Sequence, residues 1–203
     1  MKRVNFWIGM SVMVLALGLV FTGCASTGTG GTSGTSGNTT SFYYDRGLRY
    51  MDNGDLDRAI ADFTEAIRLM PDHGDAYFNR GLIYNQKQDF DRAIADFTQA
   101  IVIFSRFLNS EYDVKNDLYL LYSRRGMAYG SKRLDLAIAD YNEAIKLDNT
   151  RKTAYTLRGA AYTAMEDYNR AIADFEKVLE LDPKDENARD FLIYVTSKWL
   201  TED

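Results

Sequence analysis

From residue 42 onward, apolar residues recur at the spacing of one face of an α-helix. Tyr43, Gly47 and Tyr50 stand at positions i, i+4 and i+7, and the same spacing returns along the chain. The alternation of apolar and polar residues that is typical of a β-strand is absent from this region. Proline occurs only at Pro71 and Pro183, so long stretches are free to be helical. The pattern predicts an all-α domain.

The helical pattern is itself repeated four times. Each copy has an Arg-Gly pair, with one tyrosine three residues before the arginine and another three residues after the glycine. Further along each copy, an alanine stands four residues before an aromatic residue. The Arg-Gly pairs, spaced by 34, 45 and 33 residues, are Arg46-Gly47, Arg80-Gly81, Arg125-Gly126 and Arg158-Gly159. A period near 34 residues predicts one helical hairpin in each copy.

The order of aromatic, small and aromatic residues, then alanine and phenylalanine with proline at the end, resembles the tetratricopeptide repeat (TPR). The resemblance covers residues 42–183 and implies a right-handed α-solenoid of four TPR helix hairpins, followed by a C-terminal capping helix. The expected hairpins are 42–73, 74–118, 119–151 and 152–183, with the capping helix in 184–203. The glycine of each copy is small because two helices cross there, where a larger side chain would overpack the contact.

The chain departs from the family pattern at two columns. Arginine replaces the leucine that usually precedes the glycine, and an aspartate precedes the aromatic residue of each second helix. We expect the four arginines to pair with the four aspartates, within or between repeats. An arrangement repeated four times indicates a structural role rather than a catalytic one.

Two segments fall outside the regular period. The second repeat has 11 extra residues, which lie within 105–118. They either extend the flanking helices, which then pack against each other, or project from a binding face towards a partner. In the capping helix, Phe191, Leu192, Val195 and Trp199 share one face, so Trp199 is expected in the core.

Residues 1–23 have the architecture of a secretory signal. Lys2 and Arg3 precede an apolar run of about 16 residues, and Thr22-Gly23 supplies small residues at the cleavage site. The single cysteine, Cys24, follows directly, and the run that ends there resembles the lipobox of bacterial lipoproteins, in which the cysteine is acylated and becomes the mature N-terminus. A retained membrane anchor and an ordinary buried cysteine are the alternatives.

Residues 24–41 are almost all Gly, Ser and Thr, which predicts a flexible tether between the lipid and the helical domain. Ala25, not aspartate, follows the cysteine. The resemblance to lipoproteins therefore implies the outer membrane, with the domain facing the periplasm.

Charge and composition narrow the function. The net charge is −5 and no basic cluster is present, so nucleic acid is not an expected partner. A single cysteine excludes an intramolecular disulfide, and a single histidine, His73, excludes a multi-histidine metal site. We expect no cofactor and no metal, and we expect the chain not to be an enzyme.

In proteins of the TPR class, the first helices of the hairpins line a concave groove. The stripe beside the packing stripe is aromatic and apolar in the first two repeats. The candidate partner-binding residues are Tyr44, Leu48, Met51, Phe78, Asn79, Leu82, Asn85, Arg124 and Met127. Chaperone-binding relatives grip a terminal carboxylate with five residues, of which only Asn79 and Arg124 match, so that ligand is not expected. These two residues would instead hold a peptide backbone or an acidic side chain.

The sequence predicts a membrane-anchored scaffold of the cell envelope that binds a partner protein or peptide in this groove. Three alternatives stay open. In the first, the tether fills the groove. In the second, a second copy of the chain fills it, and the protein forms a homo-oligomer. In the third, the chain is an accessory lipoprotein of a transporter and holds a small solute in the groove.

Overall fold

The computed structural model describes residues 34–108, 110 and 113–201, with side chains from residue 39 onward. This part of the chain contains nine α-helices, a short 3₁₀ turn at Gly130–Lys132 and no β-strand. In chain order the helices are α1 (Gly34–Asp52), α2 (Leu56–Leu69), α3 (Gly74–Gln86), α4 (Phe90–Ser105), α5 (Lys115–Tyr129), α6 (Leu134–Leu147), α7 (Lys152–Ala164), α8 (Tyr168–Leu181) and α9 (Glu186–Trp199). Among these helices, none is both long and apolar enough to cross a bilayer.

Consecutive helices pack as four hairpins, α1 with α2, α3 with α4, α5 with α6 and α7 with α8, and α9 packs on α8. The buried centre of each hairpin is the aromatic residue of its second helix, such as Phe63 in α2 and Phe97 in α4, both fully buried. An ideal Cβ placed on Gly81 would lie 2.8 Å from the Phe97 ring. The repeated glycines are therefore small because an aromatic ring lies directly against the first helix. The predicted all-α stack of four helical hairpins, followed by a further helix, is confirmed for the described residues.

The predicted Arg–Asp pairs are present in all four hairpins, and each joins the two helices of one repeat. In the second repeat, Arg80 donates from Nε and Nη2 to the two carboxylate oxygens of Asp96, both at 2.8 Å. The guanidinium of Arg80 also lies between the rings of Tyr77 and Tyr84, with its central carbon 5.6 and 5.9 Å from the ring centres. The equivalent pairs are Arg46–Asp62, Arg125–Asp140 and Arg158–Asp174.

The same arginines also connect neighbouring repeats, which the sequence did not predict. Arg80 Nη1 donates to Thr64 of the first repeat at 2.9 Å, and Arg125 Nη1 donates to Thr98 of the second at 3.0 Å. Arg158 donates in the same way to Asn142 of the third repeat. Each guanidinium therefore bonds to the second helices of two successive repeats. Because the geometry of guanidinium is fixed, this contact fixes the stacking of one hairpin on the next.

The 11 extra residues of the second repeat divide between helix and loop. Compared with the other repeats, α4 continues two residues further and α5 begins four residues earlier, and residues 106–114 connect them. Val114 is buried and packs in the same core cluster as Phe97, so this end of the connection is part of the core. Phe107 and Leu108 are exposed.

Two sequence expectations need correction. Helix α1 begins at Gly34, so residues 34–41 of the expected tether are helical. Thr40 is buried, so this turn packs against the hairpin, and extending a helix from a formed turn costs less than starting a new one. Trp199 is 38% exposed rather than in the core, because it borders an open groove between α9 and α8, next to Asn169 and Ile172. The expected signal at 1–23 and Cys24 lie outside the described residues.

Candidate functional site

The nine candidate residues occupy one side of the three helices α1, α3 and α5, which are the first helices of their hairpins. We call this set the groove surface. Asn79 is buried, and Tyr44, Leu48, Met51, Phe78, Leu82, Asn85, Arg124 and Met127 are half-buried. These apolar side chains are therefore partly accessible from outside.

Tyr44 connects the first repeat with the second. Its ring lies 4.6 Å from the His73 ring and 5.8 Å from the Phe63 ring, measured between ring centres. Its hydroxyl accepts a hydrogen bond from Asn79 Nδ2 at 3.1 Å. His73 stands directly before α3, and burial lowers the pKa of its imidazole, while the carboxylates of Asp75 and Asp45 oppose that change. The Tyr44 ring is therefore held on two sides, and sequence reasoning missed its contact with His73.

Phe78 is held in the same way in the second repeat. Its ring centre lies 6.2 Å from that of Phe97, and Leu82 packs against the same core cluster. Leu48 and Met51 pack against the first-repeat cluster around Phe63. The apolar groove residues are thus attached to the core phenylalanines rather than separate from the packing stripe. Truncating them would disturb folding as well as binding, whereas the polar residues of the groove offer cleaner tests.

Arg124 differs from the repeat arginines because it has no acidic partner among the described residues. It makes no salt bridge or hydrogen bond with any residue that the structure describes, although it is half-buried. Burial lowers the pKa of its guanidinium, and no other cause acts on it. The neighbouring Arg125, in contrast, is bound to both oxygens of Asp140. A half-buried cation without a counter-charge has lost part of its hydration and has gained nothing in return.

Ser123 adds an unused hydroxyl next to Arg124. Its Oγ is buried and has no hydrogen-bond partner among the described residues. Ser123 lies one helical turn before Met127 on the same side of α5. A buried unpaired hydroxyl costs stability, and because this oxygen is inaccessible from outside, the cost concerns the packing of α5 rather than the surface.

Acidic groups lie in the first turns of α3 and α5. Burial raises the pKa of the Asp117 carboxyl, and the negative charges of Asp75 and Asp113 raise it further. Asp75 and Asp117 line a cavity of about 10 Å³ with Phe78, Phe104, Leu120 and Leu121. A space of this size holds about one water molecule, so it does not accommodate a solute. Within the described part of the chain, no group of three or more potential metal ligands is found.

Repeated, stacked helical hairpins with an accessible surface on their first helices define a repeat scaffold of the TPR class. Family models described as "Tetratricopeptide repeat" match residues 44–106, 121–151 and 153–185. Together these matches cover more than half of the chain. The protein belongs to the tetratricopeptide-repeat family, whose fold is a scaffold for protein–protein interaction.

Parts of two longer proteins are similar to this chain in sequence. DnaJ homolog subfamily C member 7 of Homo sapiens is 29% identical over 160 residues, which are 71% of this chain and 30% of that protein. Heat shock protein STI1 of Saccharomyces cerevisiae is 33% identical over 75 residues, covering 36% of this chain and 13% of its own. The chain thus spans less than a third of the length of either relative.

Solved structures agree with the architecture. The crystal structure of MamA protein has a TM-score of 0.70 at 23% identity, over 79% of this chain and 82% of that chain. A tetratricopeptide repeat protein from Parabacteroides merdae ATCC 43184 has a TM-score of 0.66 at 21% identity, over 80% of this chain and 62% of its own. At these identities the likeness is one of fold.

Proposed function

We propose that the groove surface binds a segment of a partner protein that carries apolar side chains and an acidic group. The observation that carries this proposal is Arg124, a half-buried cation with no counter-charge among the described residues. The four repeat arginines are each held by an aspartate of the same hairpin. A carboxylate supplied by the partner would give Arg124 the pairing that the repeat arginines already have.

The surroundings of Arg124 suit such a segment. Apolar and aromatic side chains of the first two repeats supply the area from which protein interfaces draw most of their energy. Asn79 positions Tyr44 among them through a hydrogen bond. Asp75 and Asp117, at the start of α3 and α5, repel an acidic residue of the partner from that end of the surface. The partner's carboxylate is therefore favoured beside Arg124. Binding alone is proposed, without catalysis.

A displayed library of random peptides tests this function without knowledge of the natural partner. We expect the full chain to enrich peptides that combine apolar residues with at least one aspartate or glutamate. The same selection with Arg124→Met should lose the enrichment of acidic residues. Arg49→Met is the matched control, because Arg49 is an exposed arginine on α1 outside the groove surface. If both variants enrich the same peptides as the unchanged chain, the groove surface around Arg124 is not the binding site.

We also propose that the chain is anchored in the bacterial cell envelope by a lipid on Cys24, with the repeats facing the periplasm from the outer membrane. The signal-like segment, the position of the single cysteine and Ala25 after it support this proposal. Cys24→Ser should leave an uncleaved precursor that no longer incorporates labelled fatty acid. Normal processing of that variant would refute the anchor, and recovery of the unchanged chain in the inner membrane would refute the location.

The transporter alternative is not favoured. The cavity between α3 and α5 holds about one water, and apolar residues around it are part of the core packing.

A further inference from the structure

The fourth repeat borders an open groove between α8 and α9, which we call the end groove. Its volume is about 360 Å³, compared with about 10 Å³ for the cavity between α3 and α5. Ile172 and Leu192 lie in it and also pack against the core of the fourth repeat. The lining residues are Asn169, Ile172, Glu176, Leu192, Thr196 and Trp199.

The end groove lies where a further helix covers each earlier junction between repeats. In the equivalent junction between α6 and α7, the covering helix is α8. Arg158 of α7 donates there to Asn142 of α6 and to both carboxylate oxygens of Asp174 in α8. Helix α6 covers the junction between α4 and α5 through the same set of bonds. In the described part of the chain, no helix follows α9 to cover the end groove.

The charge at this junction differs from that at the earlier ones. At the period of 34 residues, Leu192 occupies the column of Arg158, and Glu176 occupies the column of Asn142. The side chain of Glu176 forms no salt bridge or hydrogen bond with a described residue. Asn142 and Asp174 both bond to one guanidinium, so a residue of a covering helix in the Asp174 column would lie close to Glu176. A covering helix should therefore bring a cation at that position instead of an aspartate.

The size of the side chains also differs at this junction. Ile193 occupies the column of Gly159, where an ideal Cβ would lie 3.1 Å from the Phe175 ring of the covering helix. An isoleucine leaves no room for an aromatic residue in the Phe175 column, because the contact would be overpacked. Since Asp174 directly precedes Phe175, the helix that fits carries a basic residue followed by a small one.

We propose that the end groove binds an amphipathic helix of a partner protein in which a basic residue is followed directly by alanine or glycine. The basic side chain pairs with Glu176, the small residue leaves room for Ile193, and Trp199 supplies an aromatic anchor of the kind that dominates protein interfaces. The folded repeats of a second copy do not supply such a helix. In each Arg-Gly and Arg-Ala pair of the described residues, the glycine or alanine is buried. The end groove is separate from the groove surface, so this contact does not depend on the function proposed above.

A peptide made from α8 tests the fit, because α8 covers the equivalent junction. The probe is the segment Tyr168–Leu181 with Asp174→Arg and Phe175→Ala. A lactam bridge between positions 169 and 173, which are both exposed in α8, keeps it helical. In the full chain, Trp7→Phe leaves Trp199 as the single tryptophan, so its fluorescence reports on the end groove. The probe should shift this fluorescence to shorter wavelength, and the bridged α8 peptide without the two substitutions should bind about tenfold more weakly.

Exchanges of charge and of size identify the contact. Glu176→Lys should weaken binding of the probe about tenfold and should strengthen binding of a peptide that carries Phe175→Ala alone. Ile193→Ala should permit binding of a peptide that carries Asp174→Arg alone. Asp190→Lys is the matched control, because it makes the same change of charge on α9 outside the end groove, and it should leave binding of the probe unchanged. The three altered residues of the chain are exposed, so helical circular dichroism should stay the same.

Failure of the probe to bind would overturn the proposal, as would equal binding of the probe and the unsubstituted α8 peptide. Exchanges that leave the order of affinities unchanged would do so too. If the fluorescence of Trp199 shifts when the chain is concentrated without peptide, a second copy covers the end groove. If it shifts on addition of phosphatidylcholine vesicles, a lipid surface covers it. Either shift would also overturn the proposal.

Discussion

Neutralising one buried aspartate of the repeat clamps gives the sharpest test of how the solenoid is held together. In the second repeat, the side chains of Arg80 and Asp96 are 15% and 7% exposed, and both oxygens of Asp96 accept from Arg80. Asp96→Asn keeps the shape but leaves the guanidinium without its counter-charge between two tyrosine rings. Removing one partner of a buried ion pair typically costs about 3 kcal/mol or more.

For a domain of this size, a loss of about 3 kcal/mol lowers the melting temperature by roughly 6–12 °C. Circular dichroism during heating and in urea measures the effect. Asp62→Asn is the matched control. Its partner Arg46 lies in the first described hairpin and is 37% exposed, so water can solvate the guanidinium once its counter-charge is lost. We expect a clearly smaller loss there. If the two variants lose the same stability, or if Asp96→Asn loses less than about 1 kcal/mol, burial of the pair does not determine its importance.

Three further outcomes follow from packing and charge. Gly126→Ala should destabilise the fold by about 1–3 kcal/mol, and by more than Gly159→Ala does. The new Cβ would lie 2.5 Å from the Tyr141 ring at position 126 but 3.1 Å from the Phe175 ring at position 159. Equal melting temperatures of the two variants would contradict this. Ser123→Ala should raise the free energy of unfolding by about 0.5–1 kcal/mol in urea titrations, since it removes a buried unpaired hydroxyl, and a loss of stability would show that the hydroxyl has a partner. Because burial lowers the pKa of His73, the unfolded chain binds a proton below about pH 6.5 more readily than the folded chain does, so the free energy of unfolding should fall from pH 7 to pH 5. His73→Gln should show a flatter dependence over that interval, and an unchanged slope would refute the role of His73.

The repeat architecture was predictable because it is written in residue types with strict steric demands. A glycine in contact with an aromatic ring and an alanine four residues before that ring allow few other arrangements. The Arg–Asp pairing was also predictable, because both residues recur in every copy at matching columns. Whether each pair joined helices of one repeat or of two depended on distances that the period does not contain. The structure shows that each arginine pairs with the aspartate of its own repeat, whereas its bond to the preceding repeat goes to Thr64 or the equivalent residue.

The sequence was less informative where local preference and packing disagree. A segment rich in glycine and serine is typical of a tether, yet the chain is helical from Gly34 because the following turn packs on the first hairpin. Helical spacing placed Trp199 on the apolar side of α9 correctly, but it could not show that an open groove between α8 and α9 leaves 38% of this side chain exposed. Periodicity also could not show that Arg124 lacks a counter-charge among the described residues, since this depends on which acidic residues other helices bring near it.

The groove surface is tested most directly by the coupling between Arg124 and an acidic residue of a bound peptide. A peptide selected by the full chain is titrated by fluorescence anisotropy, with its carboxylate intact or replaced by the neutral amide, against the unchanged chain and Arg124→Met. If the two groups pair in the complex, either change alone should weaken binding about tenfold, and the second change should add little to the first. The resulting coupling free energy is then about 1.5 kcal/mol. Additive effects, with no coupling between the two changes, would contradict pairing of the partner's carboxylate with Arg124.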